Sequence, residues 1–204
     1  GTAVNFDPIT YTAPGTYTYT ITETGTLAGV TNDAAASTGK TVTVHVADNG
    51  TGQLVATING AGTADDVTNF TNTYRVASTT VAIPVEKVLY VPAGLTGPGD
   101  ITGKFKFTLA PVGNAPMPGT NVVPCGASGA TVSFDGVTYT TPGDYSYKIT
   151  ESGIVSGVTN DAAAASGKTV TIHVTDNGAG QLVATINGDG ADDDATVFTN
   201  NYVI

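Results

Sequence analysis

Cysteine is almost missing from this 204-residue chain: Cys125 stands alone, so no internal disulfide can form and any covalent lock must rest on other chemistry. Basic residues are also scarce, 7 against 17 acidic ones, and a net charge of -10 repels phosphate backbones and anionic headgroups. Nucleic acid is therefore not expected as a partner. Apolar runs long enough to span a bilayer are absent as well, which argues against membrane insertion. What remains is a folded, globular composition, 40% hydrophobic and 12% charged with a mean hydropathy of +0.09. The chain opens on Gly-Thr-Ala-Val-Asn-Phe with no signal peptide and ends at Ile204 with no apolar tail, and it reads as an excerpt from something longer.

Self-similarity at a fixed offset organises what is there. ITETG at 21–25 returns as ITESG at 149–153, an offset of 151 − 23 = 128, and the offset holds without a gap. TNDAAA at 31 returns at 159, GKTVT at 39 at 167, GQLVATING at 52 at 180, and FTN at 70 at 198. Residues 76–128 have no upstream counterpart. The expected organisation is residues 1–75 as the C-terminal part of a first module and 76–204 as a complete second one, with a linker over Val76 to Ala82.

Helical period is lacking throughout, and strand alternation takes its place. Tyr145, Tyr147 and Ile149 alternate with Ser146, Lys148 and Thr150, and Phe105, Phe107 and Leu109 with Lys104, Lys106 and Thr108. Asp-Asn-Gly at 48–50 and 176–178 separates two such runs in each copy, as a hairpin turn does. Pro- and Gly-rich stretches at 92–100 and 112–129 read as loops. Many short strands with regular turns predict an all-β fold of tandem immunoglobulin-like β-sandwich modules, the first incomplete; a barrel is the weaker alternative.

Three polar residues fall on inward phases of these strands. Lys87 shares its face with Val85, Leu89 and Val91, Glu151 with Tyr145, Tyr147 and Ile149, and Asn200 with Phe198 and Tyr202. Burial drives lysine to lose its proton and glutamate to gain one, which leaves a nucleophilic amine beside a carboxylic acid that can shuttle protons to an amide. Attack of Lys87 on the Asn200 side-chain carbonyl would release ammonia and leave an amide crosslink. Taken singly, the three residues read more simply as a snorkelling lysine, a surface salt bridge and a turn cap. Together, in first, middle and last strands of one module, they point to chemistry.

At these residues the chain resembles the Gram-positive pilin isopeptide linkage domains of pilus shafts and surface adhesins. The resemblance rests on VEKVL followed by GKFKFTL, VSFDGVTYTTPGDYSYKITE and the closing FTNNY, and it extends to both copies. It implies Lys87 as nucleophile, Glu151 as catalytic acid and Asn200 as acceptor, with Glu23 and Asn72 as the matching residues of the incomplete copy. It also implies an extracellular, cell-wall-anchored structural fibre module whose partners are neighbouring modules or subunits, not an enzyme beyond one self-crosslinking turnover. The alternative function is an adhesin module that binds a host glycan or protein through its loops, Val112 to Gly129 together with the acidic loop around Asp189 and Asp192.

Other signals are discounted. His45 and His173 read as surface strand residues in separate copies, and Asp189, Asp192, Asp193 and Asp194, with Asp65 and Asp66 in the first copy, lack calcium-loop spacing, so no metal and no cofactor are expected. Lys40 and Lys168 are rival nucleophiles set aside as exposed loop-edge residues, and Cys125 reads as an isolated loop thiol. Residues 1–74 lack the strands that would cover Tyr17, Tyr19, Ile21, Phe70 and Tyr74, so a strand donated by another chain is expected to complete them.

Overall fold

Threonine, valine and tyrosine in strict alternation favour a pleated, half-buried backbone. In the computed structural model, which describes residues 2–59, 67–187 and 195–203, every regular element among the described residues is a strand. The acidic residues 65, 66, 189 and 192–194 lie outside the described residues. The chain divides into two compact units, Gly1–Arg75 and Val76–Ile204.

In the first unit, β1 (Gly15–Ile21), β3 (Lys40–Asp48) and β4 (Leu54–Ile58) form an antiparallel sheet in the order β1-β3-β4, and β2 (Val30–Thr31) pairs with β5 (Thr73–Tyr74). The Asp-Asn-Gly hairpin closes β3 onto β4, with Asp48 opposite Leu54. Just past β4, Asn59 takes a left-handed φ of 53° and turns its side-chain oxygen onto the Thr43 N–H, which makes the short polar side chain the natural choice there.

The second unit is fuller. A five-stranded sheet runs in the order β15 (Leu182–Ile186), β14 (Lys168–Asp176), β12 (Gly143–Ser152), β8 (Lys106–Pro111), β9 (Val122–Pro124). A four-stranded sheet runs in the order β10 (Ala130–Ser133), β7 (Pro84–Tyr90), β16 (Thr196–Tyr202), β13 (Val158–Thr159). A third pairing joins β6 (Thr79–Val81) to β11 (Val137–Tyr139). All neighbours in the four-stranded sheet are antiparallel except β7 and β16, which run parallel with Phe198 opposite Lys87 and Asn200 opposite Leu89. Between the sheets lies one core, including Val85, Phe105, Phe107, Leu109, Tyr147, Ile149, Val170 and Phe198, each fully buried. The fold is thus all-β and immunoglobulin-like.

Two local expectations are corrected. The stretch Val76 to Ala82 is not a plain linker, because Thr79-Thr80-Val81, a β-branched run, pairs with β11. The stretch 112–129 is not all loop either: Val122–Pro124 forms β9 on the free edge of β8, and Leu109 N–H bonds to the Asn121 carbonyl. Proline is tolerated at such an edge because the missing N–H faces away from the ladder.

Candidate functional site

Strand register aims three polar side chains into the core of the second unit. On β7, Val85 and Lys87 are both completely buried, since they occupy the same phase of the pleat. On the neighbouring β16, Phe198 and Asn200 repeat that phase, and both are completely buried. From the facing sheet, β12 brings Glu151 in line with Tyr147 and Ile149. The structure therefore brings together all three of the residues singled out from the sequence.

Glu151 is the hub. Its Oε1 lies 2.7 Å from Lys87 Nζ and accepts a 3.1 Å hydrogen bond from Asn200 Nδ2. Its Oε2 is buried with no hydrogen-bond partner. Lys87 Nζ also donates to the Phe198 carbonyl at 3.3 Å and sits 4.9 Å from the centre of the Phe105 ring. Burial among these aromatic rings pushes the Lys87 ammonium below its ordinary pKa, and the adjacent Glu151 carboxylate only partly offsets that. A buried ammonium–carboxylate pair carries a desolvation cost, and both side chains here are shielded from water.

The Asn200 amide is held from the other side. Asn200 Oδ1 accepts a 2.7 Å hydrogen bond from the backbone N–H of Asp161, and Asn200 Nδ2 reaches Asn160 Oδ1 at 3.3 Å. The Asp161 carboxylate in turn accepts from the N–H groups of Ala163 and Thr199, and from Lys168 Nζ at 2.9 Å. Burial works against ionisation of Asp161, but these donors outweigh it and hold the carboxyl below its ordinary pKa. Lys168 also donates to the Val197 carbonyl at 2.6 Å and lies 4.9 Å from the Phe198 ring centre.

Lys168 is thus not a free loop-edge lysine, since it is two-thirds covered and bonded at both ends of its ammonium's reach. Asp161 was missed altogether. Its signal is the verbatim recurrence of TNDAAA in both copies, with no apolar alternation to explain it. Cys125 lies outside any strand, just past β9, and is a buried thiol, its Sγ 3.1 Å from the Ile101 carbonyl. His45 and His173 are exposed, the latter paired with Asp144. Among the described residues no group of three or more His, Cys, Asp or Glu is placed to hold a metal ion.

Glu23 and Asn72 reproduce part of this arrangement in the first unit. Asn72 Nδ2 donates to Glu23 Oε1 at 2.7 Å, and Asn72 Oδ1 accepts from Asp33 N–H at 2.8 Å. Asp33 accepts from Thr71 N–H, Ala35 N–H and Lys40 Nζ, the last at 2.7 Å, and Lys40 donates to the Asn69 carbonyl at 2.6 Å. Glu23 Oε2 is again a buried oxygen without a partner. Lys40 is the sole lysine of residues 1–75, and it is engaged by Asp33.

No curated protein matches the chain. A family model described as the Spy0128-like isopeptide containing domain matches residues 1–75 and 83–203, nearly the whole length. Among the described residues no helix is long and apolar enough to cross a membrane. With both copies matched and the strands in place, the chain belongs to the Spy0128-like isopeptide containing domain family, the Gram-positive pilin isopeptide domains.

Proposed function

We propose that Lys87 and Asn200 are joined by an intramolecular amide bond that Glu151 promotes, so that residues 76–204 are a complete, self-locked module in the shaft or stalk of a cell-wall-anchored surface fibre. One observation carries the reading. Glu151 Oε1 lies between the incoming nitrogen, Lys87 Nζ at 2.7 Å, and the departing one, Asn200 Nδ2 at 3.1 Å.

The steps follow from that placement. Glu151 takes a proton from the Lys87 ammonium, which burial already weakens, and the neutral amine attacks Asn200 Cγ. A Nζ–Cγ bond forms and the amide oxygen gains negative charge. Glu151 then moves a proton from Nζ to Nδ2, the Cγ–Nδ2 bond breaks, and ammonia leaves. Folding supplies the proximity that makes an otherwise unreactive amide a target. The product holds no charge on either former partner, which removes the cost of a buried ammonium. This is a single turnover on the protein's own chain, and nothing is regenerated for a second.

The test is the intact mass of natively folded protein, expected to be lower than the sequence mass by one ammonia, about 17 Da for a single displacement of this kind. An unchanged mass overturns the reading. Glu151→Ala should fold and keep the full sequence mass.

We further infer that residues 1–75 are the C-terminal part of a like module and accept a lysine-bearing strand from another polypeptide segment of the fibre. The support is the Glu23–Asn72 hydrogen bond with no lysine beside it, together with β7 as the pattern of the strand that would fit. A synthetic peptide spanning residues 82–91, added to the folded chain, should form an adduct that survives a denaturing gel and is lost in Asn72→Ala. Absence of any adduct counts against strand acceptance and leaves the Lys87–Asn200 bond untouched.

A further inference from the structure

Both units carry the same device around the acceptor asparagine, and it lies outside the lysine, glutamate and asparagine set. In the second unit the Asp161 N–H is 2.7 Å from Asn200 Oδ1, while the Asp161 carboxylate grips the N–H of Thr199, the residue just before the acceptor. Lys168 ties that carboxylate to the carbonyl of Val197, three residues before the acceptor. In the first unit Asp33, Thr71, Asn72, Lys40 and Asn69 repeat every one of these bonds within a few tenths of an ångström. That repetition occurs without a counterpart of Lys87 in residues 1–75, so the device does not depend on the nucleophile. It is set by the TNDAAA and GK segments and the strand they hold.

We propose that Asp161 and Lys168 form an acceptor clamp, in which the Asp161 N–H binds the amide oxygen as it becomes an oxyanion and the Asp161–Lys168 pair fixes that N–H and the Asn200 backbone in register. The inference rests on the Lys87–Asn200 reading above. Attack at Cγ converts the planar amide to a tetrahedral centre whose oxygen carries the charge, and a donor already aimed at that oxygen stabilises the charge with no reorganisation. The N–H touches the reacting amide. The two side chains act through it and are positioning residues. Glu151 Oε1 faces the two nitrogens, whereas the Asp161 N–H faces the oxygen. The clamp thus divides the labour, with proton transfer on the nitrogen side of the amide and charge stabilisation on the oxygen side.

Bond formation is followed by diluting chain that was denatured before crosslinking into folding buffer, quenching aliquots and weighing them. Wild-type chain should become lighter as it folds; if it never does, the crosslink itself is wrong, whatever the clamp does. Asp161→Ala is expected to recover the wild-type β-sheet circular dichroism yet lose ammonia about 10- to 100-fold more slowly, below the full effect of deleting an oxyanion donor because the N–H remains. Lys168→Met is expected to slow the step by less, and Lys168→Arg, which restores a cation able to bridge carboxylate and carbonyl, to return it to the wild-type rate. The double variant Glu151→Ala/Asp161→Ala, compared with Glu151→Ala, reports what Asp161 contributes to folding stability alone. A folded Asp161→Ala chain that crosslinks at the wild-type rate overturns the clamp. Should Asp161→Ala fail to fold, Lys168→Met at the wild-type rate overturns it instead.

Discussion

Residues 1–75 and their counterparts at an offset of 128 carry nearly the same strands, yet they are packed very differently. Leu182 is 4% exposed and its counterpart Leu54 is 37% exposed; Tyr147 is fully buried and Tyr19 only half-buried. Asn200 is fully buried, whereas Asn72 is exposed. Apart from the Asn200–Asn160 bond, the hydrogen bonds around the two asparagines nevertheless match. Burial is therefore not a property of the repeated sequence but of the added strands β6 to β9 of the second unit, whereas the aspartate, lysine and asparagine network is encoded within the repeated sequence and forms either way. Core and clamp are separable layers of the same fold.

Substitutions at paired positions test that separation. The largest difference is expected between Asn200→Ala and Asn72→Ala. Losing the proposed Lys87–Asn200 crosslink, which would close a loop of roughly a hundred residues, should remove about 4–5 kcal/mol by the loop-entropy rule, and Asn72→Ala has no such bond within residues 1–75 to lose; chemical unfolding with separate probes in each unit reads the two. Next comes Phe198→Ala, which empties a site packed on Phe107 with ring centroids 5.4 Å apart. It should cost about 3–5 kcal/mol, against about 1–2 kcal/mol for Phe70→Ala at a half-buried position.

A glycine pair sharpens the contrast in the backbone. Gly153 and Gly25 both hold positive φ, 132° and 128°, but a Cβ on Gly153 would meet the Lys104 carbonyl at 2.5 Å while one on Gly25 meets nothing within 4 Å. Gly25→Ala should cost only the conformational penalty of about 1 kcal/mol, and Gly153→Ala clearly more, as melting temperatures would report. Equal costs would mean that β8 and β12 are not held as closely as described.

The smallest effect is one of pH. In the first unit the Lys40 hydrogen bond, backed by the N–H groups of Thr71 and Ala35, lowers the Asp33 carboxyl from 3.8 to about 2. A depressed folded-state value contributes stability that is fully present above the unfolded-state value and lost as pH falls through the folded-state one. Stability of the first unit should thus decline between about pH 4 and pH 2, and Asp33→Asn should flatten that decline. An unchanged slope would detach Asp33 from the clamp.

Alternation alone was enough to read the interior of the second unit. Lys87, Glu151 and Asn200 stand out because a period of two assigns each residue a face, and three polar groups on the faces of Val85, Ile149 and Phe198 point to one interior. Asp161 and Lys168 escaped the same reading because they lie outside or at the edge of strands, where no phase is defined and where exposure is the ordinary fate of such residues. Their partners are main-chain groups of β16, some thirty to forty positions away, and only folding reveals them. β6 and β9 were hidden for a related cause: three-residue strands are too short to show a period, and Pro124 disguised the second.

The parallel pairing of β7 with β16 has a mechanical meaning. The chain enters β7 at Pro84 and leaves β16 at Tyr202, and because the strands run the same way these points lie at opposite ends of the pair. A pull on the chain in both directions therefore loads the ladder in shear, straining its bonds together, where an antiparallel pair would be unzipped one rung at a time. A Lys87–Asn200 bond would sit directly across that shear plane. Force would pass through residues 84–87 and 200–202 and leave everything between them, the whole five-stranded sheet included, slack.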